Sequence, residues 1–129
     1  MGRGVIVLDA SAIIALYKEE NGHRQVLAEI SSSAISTANL AEVLTKLVEE
    51  EADADRVPGD LALYGCDVIP VSAVHAISAA RLRPITQRFG LSLGDRLCLA
   101  LAMERNCPAM TADRSWATLD IGVPIVLIR

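Results

Sequence analysis

The readable pattern begins at Val5-Ile6-Val7-Leu8, an aliphatic run rich in β-branched residues and flanked by Gly4 and Asp9. An unbroken run of that kind predicts a strand buried on both faces, because neither set of alternate side chains suits water. Ser11–Glu20 and His23–Ile30 carry helical patterns separated by Asn21-Gly22, a helix-stop pair. A short strand fits Ala34–Ser36. Leu40, Val43, Leu44, Leu47 and Val48 fall at i, i+3, i+4, i+7 and i+8, so an amphipathic helix is predicted toward Glu51. The acid-rich Glu49–Asp60, containing Pro58-Gly59, reads as a helix end and solvated turn. Next come a helical piece over Asp60–Tyr64, a strand near Asp67–Val71 and a long helix from Ala73 to Phe89. Pro84 should kink or interrupt that helix, since it has no amide proton to give, and Gly90 ends it. Leu93–Arg105 is apolar nearly all round after its first turn, and Ala109–Thr111 and Pro124–Ile128 read as short strands.

Strands alternating with helices predict an α/β fold, a three-layer α/β/α sandwich with a mostly parallel central sheet. No repeat or low-complexity linker interrupts the pattern, so residues 1–129 are read as one domain. In such sheets ligands bind beyond the carboxyl ends of the strands, which directs attention to the residues just after each strand.

Composition narrows the class. The chain is 52% hydrophobic with 3% aromatic residues, enough to bury a core without large rings and incompatible with a disordered segment. The longest apolar stretch, Leu97–Met103, is far short of the roughly 20 residues a membrane-spanning helix needs. No sustained apolar segment with a small-residue cleavage site follows the N-terminus, so a soluble, cytoplasmic protein is expected. Cys66, Cys98 and Cys107 lack a CxxC spacing, and His23 and His75 lack HExxH, so neither a disulfide framework nor a zinc site is readable. The net charge of −4 argues against a protein that coats polyanions, yet Arg81–Arg114 holds six arginines against three acids. That segment carries +3 and the rest −7, which keeps nucleic acid open as a partner.

Four acids stand where chemistry is expected. Asp9 directly follows the first strand, and Asp113 lies two residues beyond the strand ending at Thr111. Asp95 opens the most apolar helix, three residues after Ser92, and Glu42 sits early in the amphipathic helix. Each has a local alternative: Asp9 as a helix cap, Ser92 with Asp95 as a capping box, Asn39 with Glu42 as another cap, Asp113 as a turn residue. On a helical wheel Glu42 falls almost opposite the apolar stripe, which favours solvent. Together the four imply a divalent ion, since converging carboxylates repel unless a cation neutralises them. Oxygen donors without His or Cys favour Mg²⁺ or Mn²⁺ and suit phosphodiester hydrolysis by metal-activated water. Ser11 and Thr111 are candidate auxiliary hydroxyls, with local capping or turn bonds as their alternative. Arg96 and Arg114, each beside one of these acids, are candidate phosphate contacts, joined by Arg81, Arg83 and Arg88.

The stretches VLDASAII, LAEVL, SLGDRLCLALA and MTADRSW, in this order over essentially the whole chain, resemble the PIN-domain ribonucleases, and most closely the VapC toxins of toxin–antitoxin pairs. The resemblance implies an α/β/α sandwich and an Mg²⁺- or Mn²⁺-dependent endoribonuclease. It also implies dimerisation and inhibition by a small VapB-type antitoxin. Carried over by motif, Asp9, Glu42, Asp95 and Asp113 match the family's four acids, and Ser11 and Thr111 its hydroxyl positions. Ser115 stands where relatives often carry another acid, so one firmly bound ion is expected. The all-round apolar Leu97–Met103 exceeds what one sheet face should cover and, with the family's habit, points to a homodimer. Competing readings are an inactive PIN-fold interaction module, a DNA-directed nuclease, and a phosphoacceptor receiver domain. The last would need a lysine after a late strand, whereas the only lysines are Lys18 and Lys46.

Overall fold

The computed structural model describes residues 5–129, so the Gly4 flank of the first strand lies outside the described residues. Five strands, β1 (Ile6–Leu8), β2 (Ser33–Ser36), β3 (Asp67–Ile69), β4 (Ala109–Thr111) and β5 (Ile125–Leu127), form one sheet in the order β3-β2-β1-β4-β5. Every pairing is parallel: Val7 stands opposite Ala34 on one side and Ala109 on the other. Among the described residues the six α-helices are α1 (Ala10–Lys18), α2 (His23–Glu29), α3 (Thr37–Glu49), α4 (Val57–Tyr64), α5 (Ala73–Thr86) and α6 (Leu93–Arg105).

The side-chain period of two divides the sheet residues between two cores. Ile6, Leu8, Ile35 and Met110 point to one face and pack with Ala12 and Ile13 of α1, Val26 of α2, Val43 and Leu47 of α3, and Leu61 of α4. Val7, Ala34 and Ala109 point to the other, against Leu82 of α5, Leu99 and Leu101 of α6, and Trp116. Burial on both faces is why Ile6–Leu8 contains no polar alternation, whereas Val5, ahead of the strand, is exposed.

Several boundaries move. α1 closes at Lys18, where Glu19 adopts φ 52 and its N–H caps Ala15 and Leu16, ahead of the Asn21-Gly22 signal. α4 begins at Val57 because Pro58 occupies its first turn, where no amide proton is required. α5 runs through Pro84 to Thr86 and passes into a 3₁₀ turn, Gln87–Phe89. Two further 3₁₀ turns, Ile30–Ser32 and Arg114–Thr118, carry no periodic signal that a sequence reading could use.

The apolar run of α6 is satisfied within the chain. Leu97 through Ala102 are all buried, some against the sheet and others, Leu97 and Ala100, against Ala79 of α5 and Ala38 of α3; only Met103, 43% exposed, reaches the surface. The excess of apolar surface that pointed to a second copy is therefore covered by two neighbouring helices. Leu99, fully buried, offers a direct check: Leu99→Ala should cost about 2–5 kcal/mol, read from the urea midpoint.

Candidate functional site

Parallel strands place their carboxyl ends together, and three of them deliver the candidate residues to one edge. Asp9 follows β1, Ser36 closes β2 and caps α3, which carries Glu42, and Asp113 follows β4 by one residue beyond Ala112. The start of α6 brings Asp95 to the same edge. The four acids and Ser11 line an open pocket of about 510 Å³, shared with Lys46 and Glu49 of α3.

The local reading holds for the three aspartates, and each of them serves its own turn while also lining the pocket. Asp9 caps α1: its Oδ1 accepts from the Ala12 amide at 2.9 Å and the Ser11 hydroxyl at 2.7 Å. Its Oδ2 accepts from the Thr111 hydroxyl at 2.5 Å. Ser11 Oγ in turn receives the Ala112 amide, and Thr111 Oγ1 receives the Asp113 amide, so the two hydroxyls stitch the ends of β1 and β4 around Asp9. Asp95 completes a capping box, accepting from the Ser92 amide at 2.9 Å while Ser92 Oγ accepts from the Asp95 amide at 3.2 Å. Asp113 caps the following 3₁₀ turn through the Ser115 amide.

Glu42 is where the sequence left a conflict. It stands on the exposed side of α3, as the wheel requires, yet its carboxylate reaches across to α6. A Cβ on Gly94 would overlap that carboxylate, coming within 2.6 Å of Cδ. Asn39 does not cap α3, whose N-cap is Ser36; it lies inside the helix, fully buried, and donates to Glu42 Oε1 at 2.9 Å and to the Gly94 carbonyl at 3.1 Å.

Burial sets the electrostatics. Loss of solvent pushes the Asp9 carboxyl up to about 6, despite the opposing hydrogen bonds from Thr111, Ser11 and Ala12. Glu42 and Asp95 are also raised, by burial first; Asp95 adds repulsion to Glu42, and Asp113 adds repulsion to Asp95. Lys46, the one basic residue among the described residues that line the pocket, is paired with Glu50 at 3.5 Å. Oxygen donors with unfavourable mutual charge suit a hard divalent cation. The side chains nonetheless stand apart: among the described residues no three His, Cys, Asp or Glu form a ready-made ligand set. The three aspartates are each held by a local cap and Glu42 by the Asn39 amide.

The two arginines chosen from their sequence neighbours go elsewhere. Arg96 Nη1 donates to the Ala79 carbonyl at 2.9 Å, tying α6 to α5, because residue 96 is one helical step round from Asp95. Arg114 is exposed and donates to the Arg129 carbonyl. Neither lines the pocket. Lys46, which does, and Gly94 were missed by the sequence reading; Lys46 falls one turn after Glu42, a spacing that could have flagged it.

The chain is similar in fold to several solved structures. A toxin–antitoxin complex from Klebsiella pneumoniae matches with a TM-score of 0.74 at 22% identity, covering 96% of this chain and 98% of that one. DNA-bound VapBC from Salmonella typhimurium matches with a TM-score of 0.74 at 18% identity, covering 98% and 99%. VapBC-5 from Mycobacterium tuberculosis, a member of the VapBC family of toxin–antitoxin systems, matches at 0.58 and 25% identity, covering 95% and 98%. No curated protein is matched. The PIN domain family model matches residues 6–122, nearly the whole parallel sheet and all the elements that bear the four acids, and the chain belongs to the PIN domain family.

Proposed function

We propose that this protein is a metal-dependent endoribonuclease and the toxin of a toxin–antitoxin pair, with residues 1–129 as its nuclease domain. The observation that carries the reading is the meeting of Asp9, Glu42, Asp95 and Asp113 in one pocket at the carboxyl edge of a parallel sheet. These four side chains would hold Mg²⁺ or Mn²⁺. When bound, the ion supplies Lewis acidity toward the phosphodiester and lowers the pKa of its water. The protein's own part is positional: Ser11 and Thr111 fix both oxygens of Asp9, and the capping box fixes Asp95 at the start of α6. Family membership sets the receiver-domain alternative aside.

Arg114 is the proposed phosphate contact: it is exposed and follows Asp113 in the chain, with one guanidinium nitrogen on the Arg129 carbonyl, whereas Arg96 serves by holding α6 against α5. Arg114→Ala should weaken binding of an uncleavable RNA and lower the salt slope by about one unit; an unchanged slope would remove the contact. The toxin–antitoxin complexes among the solved relatives support a VapB-type antitoxin as partner. Pairing of two copies belongs to the same reading, with Val74, Ile77 and Ile85 of α5 as exposed apolar surface for it; sedimentation at micromolar concentration should show a dimer. No described helix is long and apolar enough to cross a membrane, in keeping with a cytoplasmic site of action.

The test is incubation of labelled single-stranded RNA, and DNA of the same sequence, with the purified protein in Mg²⁺, Mn²⁺ or chelator. RNA should be cut internally only with metal. Intact RNA beside a folded protein would favour the interaction-module reading, and cleavage of DNA alone a deoxyribonuclease.

A further inference from the structure

We infer that Asn39 is a positioning residue for the acidic pocket, holding the Glu42 carboxylate over Gly94 beside Asp95. The inference rests on the metal-site reading above. Nothing in packing alone explains a carboxamide here. Asn39 is fully buried in α3, one turn before Glu42 and against the first turn of α6. Both of its donors are used on acceptors at one place, Glu42 Oε1 at 2.9 Å and the Gly94 carbonyl at 3.1 Å. Its own carbonyl oxygen, Oδ1, is buried with no partner. Leaving an acceptor unsatisfied is unfavourable, so the side chain gains from its two N–H bonds and from nothing else in the site.

Those bonds act on a carboxylate that the helix would otherwise release. Glu42 sits on the exposed side of α3, where a long acidic side chain has free rotamers and repels Asp95. The Asn39 amide turns it inward, and Gly94 leaves the room that any Cβ would fill. The same amide also donates to the Gly94 carbonyl in the first turn of α6, so the Glu42 carboxylate is held against the helix that bears Asp95. The spacing Asn39-x-x-Glu42 is thereby a functional unit within the helix and not its cap.

A double-mutant cycle separates positioning from a purely structural role. Mn²⁺ is titrated calorimetrically into wild type, Asn39→Ala, Glu42→Ala and the double variant, with Asn39→Ser as a second replacement that retains one donor. Asn39→Ala should weaken Mn²⁺ about 10-fold in the wild-type background. In the Glu42→Ala background the same change should alter affinity by less than about 2-fold, and Asn39→Ser should fall between wild type and Asn39→Ala. Equal losses in both backgrounds, no loss in either, or failure of both Asn39 variants to fold would make Asn39 a strut of the α3–α6 junction and overturn the inference. Wild type that binds no Mn²⁺ would overturn the metal-site reading itself, a result distinct from these.

Discussion

Asp95→Asn is expected to reduce metal-dependent RNA cleavage by about 100-fold or more while leaving the metal-free protein as stable as wild type or more so. Asparagine keeps an oxygen to accept the Ser92 amide, so the capping box survives, but it removes the charge. Burial, with repulsion from Asp113, raises the Asp95 carboxyl, which means that ionising it costs more in the folded protein than in the unfolded chain. Loss of the favourable interaction with the α6 dipole offsets part of that gain, by at most about 1 kcal/mol. Cleavage and thermal stability measured on one preparation distinguish the two roles of Asp95. An active variant that has lost about 1 kcal/mol would leave Asp95 as a cap alone.

Asp9→Asn should produce the larger stability effect, and one with a definite pH signature. The Asp9 carboxyl rises from 3.8 to about 6 because it is desolvated. The folded protein therefore binds this proton more tightly than the unfolded chain. Its stabilising contribution is fully present below about pH 4 and is lost as pH rises through about 6. The two-unit shift corresponds to roughly 3 kcal/mol as an upper bound. In chelator, wild type should lose up to about that much more stability than Asp9→Asn between pH 4 and pH 7. The amide requires only that the Thr111 hydroxyl turn to accept instead of donate. Saturating Mn²⁺ at pH 7 should reverse the order, since the ion stabilises the carboxylate that binds it. Parallel pH profiles for the two proteins would contradict this account of Asp9.

Much of the fold was legible because the signals were short-range and redundant. The span of α6 was read to the residue, since Ser92 with Asp95 marks its start and its end follows the last apolar turn. The two-sided burial of β1 followed from four consecutive aliphatic residues. What sequence could not supply was how neighbouring elements share a surface. The apolar run Leu97–Met103 looked too large for one sheet face, and only the packing of α3 and α5 on its other sides shows that one chain covers all of it but Met103. Arg96 was grouped with Asp95 by adjacency along the chain. A helix separates adjacent residues by about 100°, which sends Arg96 toward Ala79.

The candidate site was legible acid by acid but not as a unit. Asp9, Asp95 and Asp113 each follow a strand or open a helix, positions the parallel topology gathers at one edge. Glu42 was not decidable from periodicity, because its inward turn depends on a buried amide one turn earlier and on a missing side chain at position 94. Asn39 read as a helix cap, since Asn-x-x-Glu fits that motif; the cap is Ser36, three residues upstream. Such a long-range arrangement leaves only a composition in the sequence, not a period.

The central claim is that Asp9, Glu42, Asp95 and Asp113 act together on one divalent ion. It is tested most directly by soaking crystals of the protein in Mn²⁺ and calculating an anomalous difference map. The account predicts one strong peak enclosed by those four carboxylates, absent from Asp95→Asn crystals soaked in the same way. No peak in that pocket, or a peak that persists unchanged in the variant, would contradict it.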